Sequence, residues 1–178
     1  MKSVNFQYKE GGQVPDEVGL LISILVRYPE VCSVRYLREQ HALKFQFLLF
    51  ASGQDGHLPD KIRDAIDVFH QLESRPMKLC KTEGKKEEDF YRLTITRDVE
   101  SMNQAEVGLI VDLVKGSSTQ ELVYDEMDLM EDELEFQEEI IEQILEQLQE
   151  SELDKNLVAV REDGRVLVYK ENFRQVEF

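Results

Sequence analysis

Apolar residues recur along this chain in three matched quartets: Val18/Leu21/Ile22/Leu25, Ile62/Ala65/Ile66/Phe69 and Val107/Ile110/Val111/Val114. Each is spaced i, i+3, i+4, i+7, which sets four side chains on one stripe of a helix and predicts three helices with a buried face. Their first members, Val18, Ile62 and Val107, lie 44 and then 45 residues apart. Local sequence repeats with them, as Glu17-Val18-Gly19-Leu20-Leu21-Ile22 returns in Glu106-Val107-Gly108-Leu109-Ile110-Val111. Pro15 and Pro59 suit a first helical turn, where a missing N–H costs nothing, and Asn103 with Glu106 reads as a capping box.

Behind the helices the period changes from 3.6 to 2. Val31 to Leu37 and Leu43 to Phe50 predict a pair of strands across Arg38-Glu39-Gln40-His41. Pro76 to Lys81 and Phe90 to Thr96 predict a second pair, joined by the polar run Thr82 to Glu88, which reads as a loop. Near the C-terminus, Leu157 to Arg161 and Arg165 to Tyr169 flank Asp163-Gly164, a pair that tolerates positive φ and signals a tight hairpin. The unit is helix, strand, strand, used two or three times. An opening strand near Val4/Phe6/Tyr8 also fits a split βαβ order over the first half. Both plans predict an α+β fold, an antiparallel-rich sheet with helices on one face. The organisation expected is an α+β scaffold over residues 1–115, an acidic helical insertion over 116–154 and a C-terminal hairpin over 155–178 that completes the same domain.

Charge changes the picture most in the insertion. Of the formal net charge of −16, the stretch Gly116 to Asp154 carries −15, with fifteen acidic residues and no Lys or Arg. Such a field is local and docks or repels one particular surface. Within it Met127, Met130, Leu134, Ile141, Ile144 and Leu148 share one heptad seam, predicting a long amphipathic helix over Asp125 to Glu150. Five like-charged i, i+4 pairs, Glu131/Glu135, Glu135/Glu139, Glu138/Glu142, Glu142/Glu146 and Glu146/Glu150, oppose that helix by about 1 to 2.5 kcal/mol in sum. Covering six apolar side chains at roughly 1.5–3 kcal/mol each outweighs the repulsion. The protein's own sheet is one cover, with the glutamates solvated. A self-paired coil is disfavoured, because acids flank the seam on both sides. A separate, basic protein partner with an apolar groove is the third, and the residues expected to meet it are Met127, Met130, Leu134, Glu135, Glu138, Glu139, Ile141 and Glu142.

Candidate chemistry adds little. With 178 residues, 42% of them hydrophobic, the chain can bury about 70% of its unfolded surface, enough for one core without staples. Cys32 and Cys80 have no C-x-x-C spacing and read as reduced core thiols. His41, His57 and His70 read as exposed polar residues. Cys32 with His41 makes a poor nucleophile and base, since a thiolate needs an electropositive, accessible setting. No calcium-loop, di-iron or phosphate-loop spacing occurs, so no metal or cofactor is expected. The absence of a basic stripe argues against nucleic acid, no apolar run approaches a membrane span, and the N-terminus carries no leader pattern, so a cytoplasmic protein is expected. These readings favour a non-enzymatic interaction or regulatory protein; an enzyme with scattered acidic and His residues in a sheet cleft is the alternative.

Overall fold

The computed structural model describes residues 16–51, 56–117, 122–124, 128–151 and 155–171. The elements run α1 (Asp16–Arg27), β1 (Ser33–Leu37), β2 (Ala42–Phe50), α2 (Leu58–Leu72), β3 (Cys80–Glu87), β4 (Phe90–Asp98), α3 (Gln104–Ser117), α4 (Glu131–Glu150), β5 (Asn156–Glu162) and β6 (Arg165–Glu171). Helix, strand, strand thus occurs twice, and α4 separates the third helix from its hairpin. The strands form one sheet in the order β3-β4-β2-β1-β5-β6, and every neighbouring pair is antiparallel. The first two hairpins meet through their second strands, with Gln46 opposite Thr94 at the middle. The architecture is α+β, as the periodicities predict. Val4, Phe6 and Tyr8 lie outside the described residues.

Alternation assigns the sheet's two faces. Leu43, Phe45, Phe47 and Leu49 of β2, Leu93 and Ile95 of β4, Val34 and Tyr36 of β1, and Leu157 and Ala159 of β5 all belong to one core with the helical stripes. Their neighbours in sequence, such as Lys44, Gln46, Arg92 and Thr94, point to the other face. The helices therefore lie on one face. Within the three quartets Val18, Leu21, Leu25, Ile62, Ile66, Val107, Ile110, Val111 and Val114 are buried, and Ile22, Ala65 and Phe69 half-buried.

Helix α1 buries more than its quartet: Leu20 and Ile24 are also covered. The reason is α4, which packs along α1 and buries Ile141, Ile144, Leu145 and Leu148 there. A helix that is apolar nearly all round must be enclosed. The α1 end is held from the sheet: Arg161 of β5 donates to the carbonyl of Leu25 (2.5 Å), which the helix itself leaves unpaired, and to those of Pro29 (3.1 Å) and Val31 (3.0 Å) in the segment that follows.

Two boundaries differ from those the periodicities predict. The polar run Thr82 to Glu87 is strand rather than loop; β3 pairs with β4 from Cys80↔Arg97 to Glu87↔Phe90, and the turn is Glu88-Asp89, with Glu88 at φ 53. It escapes detection because β3 lies at the sheet's edge, where a strand needs no alternation of apolar residues. Gly84 sits mid-strand because the buried Tyr91 phenol occupies the place its Cβ would take. Helix α4 begins at Glu131 rather than Asp125; ahead of it Val123 N–H donates to the Leu48 carbonyl at 2.9 Å, so that Leu122 extends the sheet beside Leu49. The Asp163-Gly164 turn is present, with φ of 50 and 73.

Arg161→Ala is expected to lower unfolding stability by about 1–3 kcal/mol by stripping the carbonyls of Leu25, Pro29 and Val31 of this donor. Arg161→Lys should recover little, because one ammonium cannot span three carbonyls; urea titration checks both, and a Lys variant as stable as the parent would contradict the capping role.

Candidate functional site

Two regions concentrate chemistry. The first is internal. Arg97 is the inward residue that follows Tyr91, Leu93 and Ile95 along β4, and it is fully buried. Its Nε and Nη2 donate to the two Glu106 oxygens at 3.1 and 3.0 Å, a bidentate pair. Its Nη1 donates to the Leu79 carbonyl (2.6 Å) and to Asp98 Oδ1 (2.5 Å), and Nη2 donates also to Ser101 Oγ (3.0 Å). All five guanidinium protons are thereby used.

His70 adjoins this network. Its Nε2 contacts Glu106 Oε1 and lies 3.0 Å from Arg97 Nη2, which has no proton left for it. Its Nδ1 lies 3.1 Å from the Arg75 carbonyl, which only accepts. His70 thereby ties the last turn of α2 to the cluster, in which Arg97 meets two carboxylates, Glu106 and Asp98. Burial works against the Arg97 charge, but Glu106 and Asp98 outweigh it and push its pKa further up. Burial likewise raises Asp98, yet its bonds from Ser101 and Leu79 and the Arg97 charge outweigh burial and hold it below its usual 3.8.

This corrects two readings. His70 is buried rather than exposed. Only half of the capping box forms: Glu106 N–H donates to Asn103 Oδ1 at 2.9 Å, while the Glu106 carboxylate points into the cluster. A cleft of about 310 Å³ beside it is lined by Asp67, His70, Gln71, Ser74, Arg75, Pro76 and Met77. Both ring nitrogens of His70 are already engaged, by Glu106 and by the Arg75 carbonyl. The thiols are free and half-buried, less enclosed than the sequence implies. Burial pushes the Cys80 thiol up, away from thiolate chemistry. His41 is also held, with Nδ1 2.6 Å from Tyr36 Oη and Nε2 2.7 Å from the Leu148 carbonyl. No group of His, Cys, Asp and Glu among the described residues is placed to hold a metal.

The second region is the outward side of α4. Of the residues expected to meet a partner, Met127 lies outside the described residues, and Ile141 is buried in the core. Glu138 pairs with Arg27 at 2.8 Å, and Glu142 accepts from Gln104 N–H at 2.9 Å. Leu134 is half-buried; Met130, Glu135 and Glu139 are exposed. Two of the predicted like-charge repulsions are therefore relieved by groups of the body. Phe136, which the seam analysis passes over, is 58% exposed, one turn from Asp132 on one side and from Glu139 and Ile140 on the other. An aromatic residue on the polar side of an amphipathic helix is the signal that would have found it.

No family model matches the chain, and neither a curated protein nor a solved structure matches it. No helix among the described residues is long and apolar enough to cross a membrane.

Asp98 makes a pH prediction. Its folded pKa is depressed, so its contribution is present above the ordinary carboxylate value of 3.8 and is lost as pH falls through the folded value. Thermal melts below pH 4 should show the parent losing stability more steeply than Asp98→Asn. Parallel acid limbs would remove Asp98 from the account.

Proposed function

We propose that this protein is a non-enzymatic interaction module of the cytoplasm, and that the outward side of α4 is its partner-facing element. One observation carries the reading. The apolar seam Ile141/Ile144/Leu145/Leu148 is taken up by the protein's own body, yet the opposite side still displays a large aromatic residue, Phe136, among Asp132, Glu135 and Glu139, with Met130 exposed at the helix start. A purely solvated acidic face gains nothing from an exposed phenylalanine, whereas a docking face uses an apolar anchor ringed by charge. The chemistry of the partner follows: a protein surface with Lys and Arg around a pocket that fits one aromatic ring. The carboxylates steer its approach and Phe136 supplies the contact that slows release.

The test compares the parent with Phe136→Ser and with Glu135→Gln/Glu139→Gln in affinity capture from native cytoplasm, at low and at high salt. A partner captured by the parent at low salt should be released as ions screen the contact. Both variants should lose it while melting at the parental temperature or above, because these side chains are solvated and the acid variant sheds like-charge repulsion. A partner retained by both variants would place the docking face elsewhere.

A further inference from the structure

The β3 edge and the exposed flank of α2 form one continuous surface. Among the described residues β3 has a strand on one side only. Its outward-facing side chains are Lys81, Glu83, Lys85 and Glu87, which sit opposite Thr96, Thr94, Arg92 and Phe90 of β4. They alternate in sign, and all are solvated, from 39% to 77% exposed. A free edge with this pattern is complementary to itself. In a two-fold antiparallel pairing centred on Gly84, Lys81 faces the partner's Glu87 and Glu83 faces the partner's Lys85, and the symmetry repeats both pairs. Moving the centre to Glu83 sets Lys81 against the partner's Lys85, and moving it to Lys85 sets Glu83 against the partner's Glu87. Like charges directly opposite are destabilising, so charge favours the Gly84 register over both of its neighbours. A row of lysines alone would only guard the edge.

The helix above the edge carries an independent mark. Helix α2 packs over β3 on one side and beside α3 on the other, and His70 points to Glu106 of α3. At 100° per residue, Val68 and Leu72 fall on the flank turned away from His70, toward the free edge. They are 53% and 81% exposed, and Leu72 is the most exposed large apolar residue among the described ones. The two-fold operation that joins β3 to β3 keeps the helices of both copies on the same face of the joined sheet. It therefore lays α2 against α2 and covers Val68 and Leu72.

We infer that the occupant of this surface is a second copy of the chain, paired β3 to β3 about Gly84 into a continuous twelve-stranded sheet. The contact is isologous and closes on itself, so it stops at a dimer. It stands independently of the reading of α4.

Sedimentation of the full chain provides the test. The parent should sediment as a dimer of its 20.8 kDa chain. Glu83→Lys/Glu87→Lys and Lys81→Glu/Lys85→Glu turn every facing pair repulsive, so each alone should associate at least about tenfold more weakly. An equimolar mixture of the two should recover the dimer, since the facing pairs are then again opposite in sign. Leu72→Asp should weaken the parental dimer with the circular dichroism unchanged. A parent that stays monomeric, a dimer that survives in both charge variants, or a mixture that fails to recover would each overturn the inference.

Discussion

The bidentate pairing of Arg97 with Glu106 is the constraint on which one half of this molecule depends. A fully buried guanidinium is tolerated only when every proton has an acceptor and the charge is countered, and here five acceptors come from three separate places in the chain: the β3 lead-in at Leu79, the end of β4 and the turn after it at Asp98 and Ser101, and the first turn of α3 at Glu106. His70 brings in a fourth, the last turn of α2. The cluster thus fixes how α2, α3 and the β3–β4 hairpin sit together. Apolar contacts alone are non-directional and would not specify that arrangement.

On the other half, apolar layering does the same work. Helix α1 lies between the sheet and α4, and is accordingly apolar on both sides, with Leu20, Leu21, Ile24 and Leu25 each at most 1% exposed. The acidic helix is seated by its seam, by Arg27–Glu138 and by the Gln104 N–H that meets Glu142. Its charge is left facing outward. Both halves therefore turn their inward chemistry to structure, and large apolar side chains are left exposed on the outer side of α4, at Phe136, and on α2 above β3, at Val68 and Leu72.

Much of this was legible in the residues because it is local. The quartets, the Asp163-Gly164 hairpin and the alternation in β2 and β4 announce themselves through spacing. What was not legible depends on neighbours distant in sequence. The β3 run Thr82 to Glu87 lacks apolar alternation because its side chains are mostly exposed, so only its pairing with β4 reveals a strand. His70 looks like a solvated residue near a helix end until Glu106, 36 positions later, is seen to approach it. Glu106 itself satisfies a capping pattern, and that local reading hides its long-range role. Arg97 was the available hint: a cation on the inward phase of an otherwise apolar strand demands a buried anion. Ile141, Ile144, Leu145 and Leu148 of α4 are buried beside α1, and no spacing rule could say that α1, rather than another chain, covers them.

The central claim is that the internal charges are an interlocked structural device, and the most direct measurement compares equilibrium unfolding of Glu106→Gln with that of Arg97→Met/Glu106→Leu. Glu106→Gln leaves Arg97 with Asp98 as its remaining carboxylate partner, while replacing both members removes the bidentate pair and leaves Asp98 held by the N–H groups of Ser101, Leu79 and Lys78. The account predicts a loss of about 3–5 kcal/mol for the single substitution and a smaller loss for the double. A double variant that loses the sum of its two single substitutions, or a Glu106→Gln protein as stable as the parent, would contradict it.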